Sequence, residues 1–389
     1  MPLLGCIADD LVGANDLAAM LVAQGMRSVL VVGVPPAPLP EADAVIVLPG
    51  PGDALSACDA LLAAGARQIF FQCAAGFDGP VADALLRRLQ SGFALVCPAF
   101  PAQGRSIYQG HLFTGASLQG EEPSLPRALA RQTEGGVGLL PFAVVEQGVT
   151  AIRQAMHRLR DGGRRYGIAD ALTEAHLLAL GAACDGQALV IGGAGLAMGL
   201  PQNFRAAGLL PDRADADALP PPMGAMAVLC GDGDRATLAQ IGMARLHAPV
   251  LSLDLLATPE AMALRDQALD WAAGRLSEAR PIVIATAALP EQVAALHTRL
   301  GREAAEALVA ETLAAIAEGL VARGVRQLML AGDGGGAAVL RRLGITALRV
   351  GPQIDAGLPW MFAETPGLHL AIKPGHAGSR DIFLRAFQP

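Results

Sequence analysis

Lysine is almost missing from this chain of 389 residues: Lys373 is the single one, and arginine makes up the rest of its 29 basic residues. Positive charge as a whole is in deficit, with 29 basic against 36 acidic side chains and a net charge of −7. A general DNA- or RNA-binding role is thereby excluded, because phosphate contacts need a surplus of Lys and Arg. Long apolar runs are lacking too. Mean hydropathy reaches +0.41, yet no uninterrupted stretch approaches the roughly 20 residues of a spanning helix. The apolar content sits instead in many short Ala-, Leu- and Val-rich segments. The opening Met1-Pro2-Leu3-Leu4-Gly5-Cys6 has no basic n-region, and Asp9-Asp10 cuts the apolar stretch short. A secretory signal is therefore not expected, and a soluble, cytoplasmic protein without a membrane partner is. The six cysteines (Cys6, Cys58, Cys73, Cys97, Cys184, Cys230) stand singly, with no CxxC pair and no histidine at metal spacing. That pattern excludes a disulfide scaffold and a zinc ribbon, and leaves buried reduced thiols as the expectation. No repeat of fixed period and no low-complexity tail is present.

What is there is alternation. A domain takes roughly 100–200 residues, so this length predicts two. Apolar runs at 3–8, 28–32, 44–48, 68–72, 93–97, 138–141, 166–169 and 188–191 read as strands. Helical stretches at 16–24, 53–64, 80–90, 149–160 and 173–184 lie between most of them. The segment 211–224 has few large apolar residues and ends in Pro220-Pro221-Pro222, the composition of a semi-rigid linker. Beyond it the alternation restarts, with strands at 225–229, 250–253, 281–285, 327–330, 347–350 and 368–372. The fold expected is α/β: two doubly wound, mostly parallel-sheet domains, 1–210 and 225–389, with a ligand cleft between them. One long helix, 302–323, carries Val309, Leu313, Ile316 and Leu320 on one face, a stripe expected to pack on the sheet. A homodimer is the assembly such an apolar chain would favour, its stoichiometry open.

In open α/β sheets ligands bind at the carboxyl ends of strands, so the turns there carry the chemistry. After the first strand come Asp9 and Asp10, then Gly13 and a helix. A carboxylate at a strand tip can orient a polyol or take a proton from an attacking hydroxyl. Side chains alternate along a strand, so one of the two is expected to face a ligand, while Asp10 or Asn15 can cap the helix instead. After the fifth strand, 97–113 reads as a long Gly- and Pro-rich loop holding Arg105, Tyr108 and His111, with Arg105 suited to a carboxylate. In the second half, three turns lie between a strand and a helix: Gly231-Asp232-Gly233-Asp234, Gly332-Asp333-Gly334-Gly335 and Lys373-Pro374-Gly375-His376-Ala377-Gly378. None matches GxxxxGK[ST] or a clean GxGxxG. Three Gly-rich turns in one domain, one with the only lysine, point to a ligand that carries phosphate.

These residues also resemble a family. The stretch 7–16 resembles the "IADDxTGAxD" opening of the four-carbon acid sugar kinases, and 97–113 is similar to their "CPAxPxxGRxxYxGHLF". Gly192-Gly193-Ala194-Gly195-Leu196-Ala197 is similar to "GGSGLA", and 351–360 to "GPxIDxGxPW". The resemblance runs the length of the chain and is closest to the branch acting on 3-oxo-tetronate. It implies an N-terminal domain for the acid sugar, a C-terminal domain for ATP, and Mg²⁺-assisted phosphoryl transfer to the terminal hydroxyl. On that basis Asp9 and Asp10 are the catalytic candidates, and Asp78, Gly104, Arg105 and His111 bind the acid. Gly231, Asp232, Thr237, Gly332, Asp333, Gly334, Gly335, Gly351, Lys373, Gly375 and Gly378 hold the nucleotide; no metal ligands are assigned. Several segments depart from the family pattern. Pro49-Gly50-Pro51-Gly52 stands where an Arg lies between serines, and the Lys-containing "KxxSTFDST" is here 72–79, beginning with Gln72. The "HPxTPM" stretch before Arg127 is absent, and Asp232 and Asp234 occupy hydroxyl positions of "SGSxSxxT". "GGET" reads 332–335, and "KSGNFG" reads 373–378. The alternative function is a degenerate homologue that binds a small carboxylate or a protein without transferring phosphate.

Overall fold

Runs such as Ser28–Val32 and Ala44–Leu48 are apolar at nearly every position, the pattern of strands covered on both faces. Both lie in parallel sheet. The computed structural model describes residues 1–34, 38–73, 76–119, 122–286, 289–332 and 334–388. It divides into two units, Met1–Asp217 and Ala218–Pro389.

In the first unit the strands are β1 (Leu4–Ile7), β2 (Ser28–Val32), β3 (Ala44–Leu48), β4 (Gln68–Gln72), β5 (Ala94–Cys97), β6 (Arg105–Tyr108), β7 (His111–Thr114), β8 (Ser117–Leu118), β9 (Gly136–Leu140), β10 (Arg164–Ala169) and β11 (Leu189–Gly192). Eight of them form a parallel array in the order β2-β3-β1-β4-β11-β5-β10-β9. Register sets Ile7 beside Val47 and Phe71, so β1 ends among its neighbours' carboxyl ends.

The region 97–113 is not the loop its Gly and Pro content suggests. β6, β7 and β8 make a separate three-stranded antiparallel sheet. Its first turn, Gln109-Gly110, is left-handed at both residues (φ 50° and 72°), as two-residue hairpin turns with matching twist require. Asn-Gly would have announced that turn in the sequence; Gln-Gly does not.

The second unit holds β12 (Ala225–Cys230), β13 (Val250–Ser252), β14 (Ile282–Ala285), β15 (Val325–Ala331), β16 (Ala347–Asp355), β17 (Leu358–Ala363) and β18 (Leu368–Lys373). The order is β13-β14-β12-β15-β18-β17-β16, parallel as far as β18 and antiparallel beyond it. β17 went unread because Pro359 and Trp360 follow a Gly turn rather than an alternating run. Residues 218–224 lie along this unit rather than hanging free. Arg349 donates to the Ala218 carbonyl, a His369 ring nitrogen meets the Pro220 carbonyl, and Gln327 donates to the Gly224 carbonyl.

The helix expected from residue 16 begins earlier, at Leu11–Ala23. In the long helix Arg302–Ala322, Leu313, Ile316 and Leu320 are buried. The helix as a whole runs beside the helices Ala261–Ala272, Pro290–Leu300 and Gly336–Arg342 and also meets β12 and β15. All six cysteines are free and buried, and burial raises the thiol pKa of each, so none is a ready thiolate. Among the described residues no helix is long and apolar enough to cross a membrane.

Candidate functional site

At the carboxyl end of β1 the two adjacent carboxylates have different work. Asp10 is the N-cap of Leu11–Ala23: its backbone is extended, and Oδ1 accepts the Gly13 N–H at 2.7 Å. Asp9 has no such duty. The residue is exposed at the surface, yet partial desolvation of its carboxyl, then the Asp10 charge and a hydrogen bond with Asp10, push that carboxyl up to about 6. A group of that pKa is mostly ionised above neutrality, yet basic enough to take a proton. Gly13 lets Gln72 lie close, since a Cβ would fall 2.2 Å from Gln72 Nε2 and the amide would have to move aside. Gln72 therefore lies against the helix start, where the resembled segment carries Lys.

The hairpin segment approaches the same tip. Gln103 Nε2 donates to Asp16 Oδ2 at 2.9 Å, and Arg105 donates to Gln103 Oε1 at 3.2 Å. Burial lowers the pKa of the Arg105 guanidinium, while Asp16, Cys73 and Asp10 act the other way, which places it within their electrostatic reach. Gly104 takes the left-handed conformation (φ 74°) that lets the chain turn into β6. His111 sits at the first position of β7 with Nδ1 2.8 Å from the Gln109 carbonyl. Asp78 is exposed and caps Gly79–Arg88, accepting the Val81 N–H at 3.0 Å; its visible role is that cap.

One residue of this neighbourhood was missed. Asp170, immediately after β10, is completely buried. Its Oδ2 accepts the N–H groups of Gln109 and Phe142 and its Oδ1 that of Gly110, each at 2.8 Å. It therefore holds the turn from which His111 projects. The available signal was a carboxylate just past a predicted parallel strand, the same signal that singled out Asp9.

In the second unit, a cavity of about 890 Å³ opens at the carboxyl ends of β12, β13 and β14. Gly231, Asp232, Gly233 and Gly334 bound one side. Around Asp232 the three Gly-rich turns converge: a Cβ on Gly332 (φ 114°) would lie 2.9 Å from its Oδ2, and one on Gly375 2.2 Å. Asp232 Oδ1 accepts the Asp234 N–H, and Asp234 in turn caps Arg235–Ala244 through the Ala236 N–H at 2.7 Å. Gly231 and Gly335 both press on Leu313, where a Cβ would come within 2.6 and 2.7 Å of Cδ1.

Other candidates lie apart from the cavity surface. Thr237 and Lys373 are fully buried beneath the 374–379 turn. Gly378 is left-handed (φ 86°) and packs on Ile382. Gly351 stands within β16 against Leu219 and the Trp360 carbonyl, where it serves the sheet rather than the cavity. Asp333 falls outside the described residues. Sequence reading missed the rest of the lining: Leu253, Asp254, Leu255 and Leu256 after β13, Thr286 after β14, and Leu289, Val293 and Leu296 at the helix Pro290–Leu300. Asp254 shapes its own loop by accepting the Leu256 and Ala257 N–H groups. Applying the strand-end rule to β13 and β14 would have found both loops. Val309, at the head of the helical stripe, faces this cavity too.

Residues 4–200 match the model of a sugar-binding N-terminal domain, and residues 227–383 that of a nucleotide-binding C-terminal domain. The chain is 42% identical over 417 aligned residues to a 3-oxo-tetronate kinase of Burkholderia multivorans, covering 100% of this chain and 97% of that one. Its identity to a 3-oxo-tetronate kinase of Cupriavidus necator is 41% over 421 residues, at 100% and 97% coverage. A solved structure from Salmonella typhimurium LT2 superposes with a TM-score of 0.86 at 32% identity, covering 98% of each chain. One from Haemophilus influenzae does so at 0.82 and 29%, covering 97% of this chain and 98% of that one.

Proposed function

The chain belongs to the four-carbon acid sugar kinase family, and from that premise we propose that it is an ATP-dependent kinase acting on the terminal hydroxyl of a 3-oxo-tetronate-like sugar acid. The observation that carries this reading is the cavity of the second unit, apolar along most of its wall and edged by Gly231–Asp232–Gly233 and Gly334. An apolar slot beside backbone-rich turns suits a nucleoside with phosphates attached. In this reading Asp9 takes the proton of the attacking hydroxyl, Arg105 and His111 hold the acid, and the three turns receive the phosphates. Phosphoryl transfer is mostly positioning and electrostatics, which such groups supply.

Mg²⁺ fits the donor set in a limited way. Among the described residues no three His, Cys, Asp or Glu side chains gather as a metal centre. Mg²⁺ commonly rides on substrate phosphates with one or two carboxylates and water. In this reading Asp232, at the meeting point of the turns, is the carboxylate that would hold it. When bound, the ion neutralises charge on the phosphates.

Thermal-shift titration of the whole chain tests the reading. ATP-Mg²⁺ is expected to raise Tm, with a further rise when a four-carbon acid is added; a ligand at a hundredfold excess over Kd contributes about 2.7 kcal/mol. Val309→Trp, which fills the cavity, is expected to weaken the nucleotide response about tenfold or more while leaving the acid response intact. Phosphorylated product confirms transfer. A shift with acids but with no nucleotide would overturn the kinase assignment in favour of a carboxylate-binding homologue.

A further inference from the structure

Lys373 closes β18 with its ammonium completely buried. Nζ donates to the carbonyls of Pro374, Gly375 and Ala377 at 2.7, 2.8 and 3.0 Å. Two other buried side chains draw on the same turn. Thr237 Oγ1 donates to the Gly375 carbonyl at 3.0 Å. Gln240 Nε2 lies 3.0, 3.1 and 3.2 Å from the carbonyls of Ala377, Gly378 and Ser379. Five carbonyls between 374 and 379 are thus turned into the protein. A trans peptide sets each C=O opposite the next residue's N–H, so the N–H groups of His376 and Gly378 are turned out. Both residues are exposed, and neither N–H has a partner among the described residues. Gly375, in the same turn, touches the Asp232 carboxylate that lines the cavity.

We infer that Lys373 is a positioning residue of the nucleotide site: its ammonium does not meet the phosphates but gathers carbonyls beneath the turn, so that the His376 and Gly378 N–H groups face them. This rests on reading the second unit as the nucleotide-binding half. Outward N–H groups on consecutive turns form an anion-binding concavity, and here a buried cation on the inner side holds that concavity open. The single lysine of the chain would then act one layer behind the ligand, where the sequence suggested direct contact.

Calorimetric Kd values for ATP, ADP and adenosine on the full-length wild type, Lys373→Met and Thr237→Val test the inference. Lys373→Met is expected to weaken ATP and ADP by about tenfold or more and adenosine by no more than about twofold. If Lys373→Met fails to fold, Thr237→Val decides, since it removes one hydroxyl donor and is expected to give the same pattern at about threefold. Equal losses for adenosine and ATP, or wild-type affinity for all three ligands, would refute the positioning role. Wild type binding neither ATP nor adenosine would instead bring down the nucleotide reading, and this inference with it. Reductive methylation of the wild type gives a direct view, with the terminal amine as internal control. Lys373 is expected to stay unmodified with and without ATP. Modification in the free protein that ATP suppresses would mean direct contact and overturn the inference.

Discussion

Asp9→Asn is expected to lower kcat by about two to four orders of magnitude while leaving Kd for the acid within a few-fold, the usual scale for loss of a general base. Two features argue for Asp9 over its neighbour. Asp10 is bound to the helix as its N-cap, and the Asp9 carboxyl is pushed up to about 6 by desolvation and the adjoining charge. Wild-type kcat/KM should therefore rise with pH through an acid limb near 6, as the carboxyl ionises. The residual activity of Asp9→Asn should lack that limb. Stability should move in the opposite sense. A folded pKa above the ordinary carboxylate value means that the native state keeps its proton while the unfolded chain releases it, so stability falls as pH rises from about 4 to about 6. The neutral variant escapes that loss, and its Tm at pH 7.5 is expected to equal or exceed that of the wild type. Activity within tenfold of wild type, or a Tm well below it, would remove Asp9 from the role.

Asp170→Ala is expected to cost at least about 3 kcal/mol in urea denaturation, because each stranded backbone donor costs about 1–3 kcal/mol. Three N–H groups lose their acceptor at once, and water has poor access to a side-chain site that is completely buried. Asp170→Asn keeps one acceptor oxygen and should fall between wild type and alanine. The loss should also be selective. Gln109-Gly110 is the left-handed turn that sets His111 in place, so KM for the acid should rise in Asp170→Asn while Kd for ATP stays near that of the wild type. A cost below about 1 kcal/mol would mean that the hairpin holds its turn without this anchor.

Much of this was legible before any coordinates. The parallel strands were readable to within one or two residues in most cases, because a strand covered on both faces is apolar throughout and that composition is local. The Gly-rich turns were equally plain, since glycine is what lets backbones approach, and Gly332 and Gly375 do close on Asp232 as that rule demands. The hairpin at 105–118 was not legible. Its turn residues are ordinary, and what fixes them is a carboxylate 61 residues further on. The cavity was only half visible for a similar reason. Its Gly-rich turns have a signature, while Leu253, Thr286, Val293 and Val309 look like core residues anywhere in the sequence.

By itself, then, the sequence determined the strand–helix alternation, the strand tips where ligands belong and the family, because each depends on residues close together in the chain. Only the tertiary structure decided which of Asp9 and Asp10 is bound to a helix, that Asp170 holds the hairpin, and that Lys373 lies beneath its turn rather than on it. Those outcomes depend on which buried donors and acceptors meet across the fold, and a buried polar group must find its partner wherever the chain has placed one.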